Sequence, residues 1–149
     1  MISVRRGGGG SDLLQAAPLT VVLIASNIVM YFLQMRDTAP VVVRSGTTGG
    51  SLLADGPVEA HLILWGPMVS AGEWWRLLGN GFLHASPLHL GTNMLSLFFI
   101  GRLVEPAVGT LRTGLVYFVS LAAGSLGVML VDPSGATLGA SGAIFGLAG

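Results

Sequence analysis

Charge is what this sequence has least of. Only 14 of its 149 residues are Asp, Glu, Lys or Arg, or 9% where soluble domains carry roughly 25%. Lysine is absent, and all seven basic residues are arginine. A chain this poor in charge and 52% apolar has too much to bury to be disordered. Cysteine is also absent, which excludes a disulfide framework and a thiolate metal site. The formal net charge is zero, so the basic excess expected of a nucleic-acid partner is missing. Glycine is plentiful at 23 residues, but it shows no three-residue period, which excludes collagen. That much glycine suits helices packed closely in lipid. Composition therefore predicts an all-α membrane protein whose surroundings are membrane lipid, and no pattern implies a cofactor or a metal.

Residues 1–15 hold Arg5, Arg6 and a four-glycine run with nothing to bury, and they read as a flexible N-terminal tail. Residues 16–35 follow without a charge, about 30 Å of helix and the thickness of a bilayer core. A signal peptide starts similarly, but its apolar region is shorter and a cleavage site would follow. From 36 to 86 the composition is mixed, with three tryptophans, Trp65, Trp74 and Trp75. Indole suits the membrane interface, so this stretch is expected to lie on the membrane as short helices. Further spans are expected at 87–104 and 113–131. A fourth opens near Gly139 and has run 11 residues, from Gly139 through Gly149, so the sequence reads as a fragment within its fourth membrane helix. Arg5, Arg6, Arg102 and Arg112 cluster in two short segments, which favours a cytoplasmic N-terminus.

The second span is polar where lipid would forbid it. His89, Asn93 and Ser96 stand at i, i+4 and i+7, a spacing that puts them on one helical stripe facing protein or a water-filled cavity. The structural alternative makes Asn93 and Ser96 interhelical hydrogen-bond glue. A second signal is Ser141, between Ala140 and Gly142 at a helix start, where free backbone N–H groups could stabilise an oxyanion. Here the alternative is a simple helix cap, with Gly142 and Gly146 forming a small-residue packing face that further helices would cover. Topology places Ser141 and the His89/Asn93 end of the second span in the same outer half of the membrane. A serine nucleophile needs a base, and His89 could be the base or a donor, whereas Asn93 can only donate.

Together these residues resemble the rhomboid family of intramembrane serine proteases. The resemblance covers residues 16–149 and rests on Trp75-Arg76, His84, His89 followed by Asn93, Glu105 with Gly109, and Gly139-Ala-Ser141-Gly142, in that order. It implies a rhomboid-like polytopic helical bundle, truncated after the start of the fourth transmembrane helix. Ser141 would be the nucleophile, and His89 and Asn93 would line the oxyanion hole with the Ser141 N–H. Single-pass transmembrane proteins would be the substrates. The family places its base histidine on a sixth helix, and none of His61, His84 and His89 matches it. Two other readings fit the composition: a catalytically silent rhomboid-like protein that binds membrane helices, and a channel or transporter subunit.

Overall fold

The computed structural model describes residues 16–45 and 50–149; the expected tail at 1–15 lies outside them. Helix α1 (Pro18–Arg36) leads into a hairpin of β1 (Pro40–Arg44) and β2 (Ser51–Asp55), then α2 (Gly56–Leu62), β3 (Leu64–Trp65), α3 (Gly66–Ser70) and α4 (Arg76–Gly79) with a 3-10 turn over 80–82. Two long helices follow, α5 (Pro87–Val108) and α6 (Thr110–Val131), then β4 (Ala136–Thr137) and α7 (Ser141–Ala148). Helices α1 and α6 are long and apolar enough to cross a membrane. Helix α5 has the 22 residues of α6, about 33 Å, and its buried face holds polar groups. The protein is a helical membrane bundle, with spans within a few residues of those expected.

Local chemistry sets the helix ends. Pro18 and Pro87 sit in the first turns of α1 and α5, where a missing N–H costs nothing. Ser86 caps α5 by accepting from the His89 N–H at 3.1 Å. Gly109, at φ +90°, joins α5 to α6 through a single residue, a backbone conformation in which a side chain would be strained. Helix α1 has no side-chain cap of its own, and Glu105 of α5 supplies one. Its carboxylate accepts from the Leu19 and Thr20 N–H groups at 2.9 and 2.8 Å and from the Thr20 and Thr110 hydroxyls at 2.8 and 2.9 Å. A negative charge at a helix N-terminus is favoured by the aligned peptide dipoles.

The core sits between the long helices. Leu23 of α1, Met94 and Leu97 of α5, Tyr117 and Leu121 of α6, and Ala143, Ile144 and Leu147 of α7 form one buried cluster. Helix α7 packs chiefly on α6, close enough that a methyl group on Gly124 would stand 3.7 Å from Gly142 Cα. One on Gly146 would collide with the Ser120 hydroxyl. Gly142 and Gly146 therefore do not wait for further helices, as the sequence suggested, because α6 already covers them. Small residues are what permit such close approach.

Three other expectations change. The stretch 36–86 is not made of short helices alone, since the β1–β2 hairpin pairs Pro40 with Asp55 through Arg44 with Ser51. Its inner face, Val43 and Ala54, packs on Trp65. Trp65 is consequently a core residue, 4% exposed, with its indole N–H donated to the Ser134 carbonyl at 3.1 Å, while Trp74 and Trp75 face outward. Ser96 does not share the buried stripe of α5. That line runs through Asn93, Leu97, Gly101 and Glu105, and Ser96, one residue before Leu97, is turned about 100° away from it and exposed.

Candidate active site

Four tethers shape the loop that delivers Ser141. An Asp132–Gly135 turn closes it, with the Gly135 N–H donated to the Asp132 carboxylate at 2.9 Å. Strand β4 pairs antiparallel with β3, Leu64 opposite Thr137. Trp65 holds Ser134, and the Gly139 N–H donates to the Asn80 carbonyl at 2.9 Å. Asn80 is itself fixed, its amide donating to the Arg76 and Leu77 carbonyls and to Ser125 Oγ at 2.6, 3.0 and 3.0 Å. Arg76, 2% exposed, bonds Glu73 at 2.6 Å and the Ile63 carbonyl at 2.9 Å. The Trp75-Arg76 pair thus ties the outer segment to the loop framework.

Gly139 brings the expected residues together. It is buried at φ +125°, and a methyl group placed on it would stand 2.9 Å from His89 Nε2 and 3.8 Å from Asn93 Nδ2. Only glycine lets this loop lie against the two side chains. Asn93 is 7% exposed, and its Nδ2 has no hydrogen-bond partner. Ser141, two residues beyond Gly139, is the first residue of α7, and the cap position belongs to Ala140. The serine hydroxyl therefore does no capping. It is exposed and lines a cavity of about 180 Å³ with Asn80, Ser125, Gly139 and Gly142. The first carbonyl-bonded amide of the helix is that of Ile144, to Ala140, which leaves the N–H groups just before it available to an oxyanion.

The histidines divide into two places. His61 stacks on Trp75, ring centres 5.4 Å apart, and its carbonyl takes the Trp75 indole N–H, on the outer surface. His84 lies edge-on to His89 at 5.1 Å, with its backbone N–H donated to Gln34 Oε1 at 3.0 Å. Neither His84 ring nitrogen has a partner. Burial first, and then the facing His89 ring, push the His84 pKa from 6.5 down to about 4. No histidine is hydrogen-bonded to Ser141 among the described residues. Sequence reasoning did not single out Asn80 and Ser125, which act through each other across 45 residues, or the His84–His89 contact, which crosses the turn before α5. The glycine before Ala140 was the available local signal for the cradle. Among the described residues no cluster of acids and histidines has the geometry of a metal site.

Residues 71–149 match the Rhomboid domain family. RHOMBOID-like protein 2 of Arabidopsis thaliana is 46% identical over 83 residues, 56% of this chain and 26% of its own. RHOMBOID-like protein 5 of the same plant is 45% identical over 84 residues, 55% of this chain and 27% of its own. Rhomboid protease GluP of Bacillus subtilis is 37% identical over 131 residues, which cover 87% of this chain and 23% of GluP. The chain thus spans about a quarter of the length of these relatives. The family match takes in His89, Asn93 and Gly139, which meet in the cradle, and Ser141 two residues beyond it, and with it this integral membrane chain belongs to the rhomboid family, whose matched members include a rhomboid protease.

Proposed function

We propose that this chain carries the nucleophile and the oxyanion site of an intramembrane serine endopeptidase that cleaves the transmembrane helices of single-pass membrane proteins. The observation that carries the reading is the Gly139 cradle, which brings His89 and the unpartnered Asn93 amide against the loop two residues before Ser141. An amide buried in a membrane helix with no partner is costly, and a developing oxyanion is the acceptor it lacks. Ser141 Oγ attacks the scissile carbonyl. Asn93 Nδ2, the His89 ring and the Ser141 N–H take the charge that collects on the carbonyl oxygen. A histidine from outside the described residues removes the serine proton, because His89 is committed to the oxyanion side and both ring nitrogens of His84 are buried.

Labelling tests this directly. The complete protein carrying this sequence is treated in liposomes with a serine-directed fluorophosphonate and given a model transmembrane substrate. Labelling and cleavage are expected, both lost in Ser141→Ala. A protein that binds the substrate helix but neither labels nor cleaves would be the catalytically silent alternative.

A further inference from the structure

A second cavity, of about 270 Å³, adjoins the serine loop and has no part in the chemistry above. It opens at the outer end of α1, and Tyr31, Gln34, Asp55, Glu59, His84 and Leu138 are in its wall. Its place relative to the serine is fixed from two sides. Leu138 directly precedes Gly139 and stands three residues before Ser141, at most about 10 Å along an extended chain. His84 touches the His89 ring. A peptide held across Ser141 in extended form would therefore present a side chain here from a position within about four residues of the bond being cut.

The wall has two carboxylates and no arginine or lysine. Asp55 and Glu59 both contribute carboxylates, and the one salt bridge among the described residues is Arg76 with Glu73. Among the described residues neither cavity carboxylate thus has a cation, and the Glu59 carboxylate accepts only the Asp55 N–H, at 3.3 Å. Burial lifts the Glu59 carboxyl above its ordinary range, with the neighbouring Asp55 charge adding to it, as expected of an acid whose counter-charge is absent. Independently, His84 is 2% exposed and lines the same cavity, its two ring nitrogens buried and unpartnered among the described residues. Neutral at pH 7, it does not repel a cation. A charged hydrogen-bond donor of side-chain size would satisfy the carboxylates and fill the cavity beside an imidazole that carries no competing charge.

We propose that this cavity is a substrate subsite for a basic side chain, lysine or arginine, in the part of the substrate that lies outside the membrane within about four residues of the scissile bond. The proposal rests on the protease reading and adds a substrate class to it. An acidic side chain at that position meets two carboxylates, and an apolar one buries them without a partner, so both are selected against.

The test uses the complete protein in phosphatidylglycerol vesicles and one transmembrane substrate. Lys, Arg, Gln, Leu or Glu is placed in turn at each of the four outer positions next to the scissile bond. At one position Lys and Arg should raise kcat/KM roughly tenfold over Gln, the size of a charge-assisted hydrogen bond, and Glu should lower it. Asp55→Asn combined with Glu59→Gln should erase the preference, and Glu59→Lys should turn it toward the acidic substrate. Equal rates for Lys and Glu at all four positions, in a wild-type protein that cleaves, would overturn the subsite and leave the protease reading standing. Absence of both cleavage and Ser141 labelling would overturn that reading, and the subsite with it. Loss of the preference on adding phosphatidylethanolamine would assign the cavity to a lipid ammonium group and overturn the substrate assignment.

Discussion

Asn93 holds a buried amide nitrogen that donates to nothing among the described residues, so its removal should cost the fold little and the reaction much. Asn93→Ala is expected to lower kcat by roughly a hundredfold to a thousandfold, the range for one preorganised oxyanion donor, with the thermal midpoint of the detergent-solubilised protein nearly unchanged. Wild-type kcat in a folded variant would make Asn93 a packing residue. His84 carries a pH dependence instead. Its pKa falls from 6.5 to about 4, chiefly through burial and secondly through His89. Above pH 6.5 the folded and unfolded chains both hold it neutral, and it biases neither. Between 6.5 and 4 the unfolded chain takes up a proton that the folded chain refuses, so stability falls as pH falls through that interval. Glu59, whose carboxyl burial raises, shares its cavity, so the measurement is the difference between wild type and His84→Asn in thermal unfolding at pH 7.5 and pH 5. The variant should lose part of the acid sensitivity, and equal slopes would show that His84 protonates freely in the fold. His89 and Asn93, which the structure places against the loop before Ser141, stand out in the sequence because reactive and polar side chains are rare in lipid-spanning helices. Ser96 was misplaced for a geometric reason: i, i+4, i+7 spacing defines a stripe but not which of its edges is buried.

At the scale of elements, the long helices were legible from uncharged runs of 15 to 20 residues, and the serine helix from its small residues. The hairpin was not. Val41, Val42 and Val43 are consecutive, so the alternation that marks a half-buried strand is invisible in residue type. Only the register with Leu52, Leu53 and Ala54 shows which of them faces Trp65. The capping of α1 was equally hidden, because the acceptor comes from α5. Glu105 is 1% exposed and takes four donors from three residues on two helices. Glu105→Gln keeps the shape but gives up the charge at the α1 N-terminus and replaces one accepting oxygen with a donor. It should lower stability by about 2 kcal/mol or more, since a buried donor left unsatisfied costs ~1–3 kcal/mol. Thermal or denaturant unfolding in micelles measures this, and Arg112→Gln, at an exposed position on α6, is the control. A midpoint equal to that of the control would mean that α1 is anchored by its apolar face alone.

For the molecule as a whole, the single-residue link at Gly109 forces α5 and α6 to run in opposite directions, and their ends then fix where everything else lies. Val108 and the Gly109 turn are at one side of the membrane. The 132–140 loop, the hairpin, His84 and the Asp55/Glu59 cavity are gathered at the other by the pairing of β3 with β4 and the Asn80–Gly139 bond. Arg102 and Arg112 flank the Gly109 turn, and Arg5 and Arg6 precede α1, so the excess of arginine over short segments predicts a cytoplasmic turn and N-terminus. The proposed cleavage site would then face the outside. With no cysteine in the sequence, one introduced thiol reports its side without background. Ser134→Cys, at an exposed position in the loop, should react with a membrane-impermeant maleimide added to intact cells. Val108→Cys, 40% exposed at the end of α5, should react only after the membrane is opened. The reverse pattern would invert the orientation, and the basic side chain expected in the Asp55/Glu59 cavity would then have to come from the cytoplasmic flank of the substrate, where arginine and lysine are commonest.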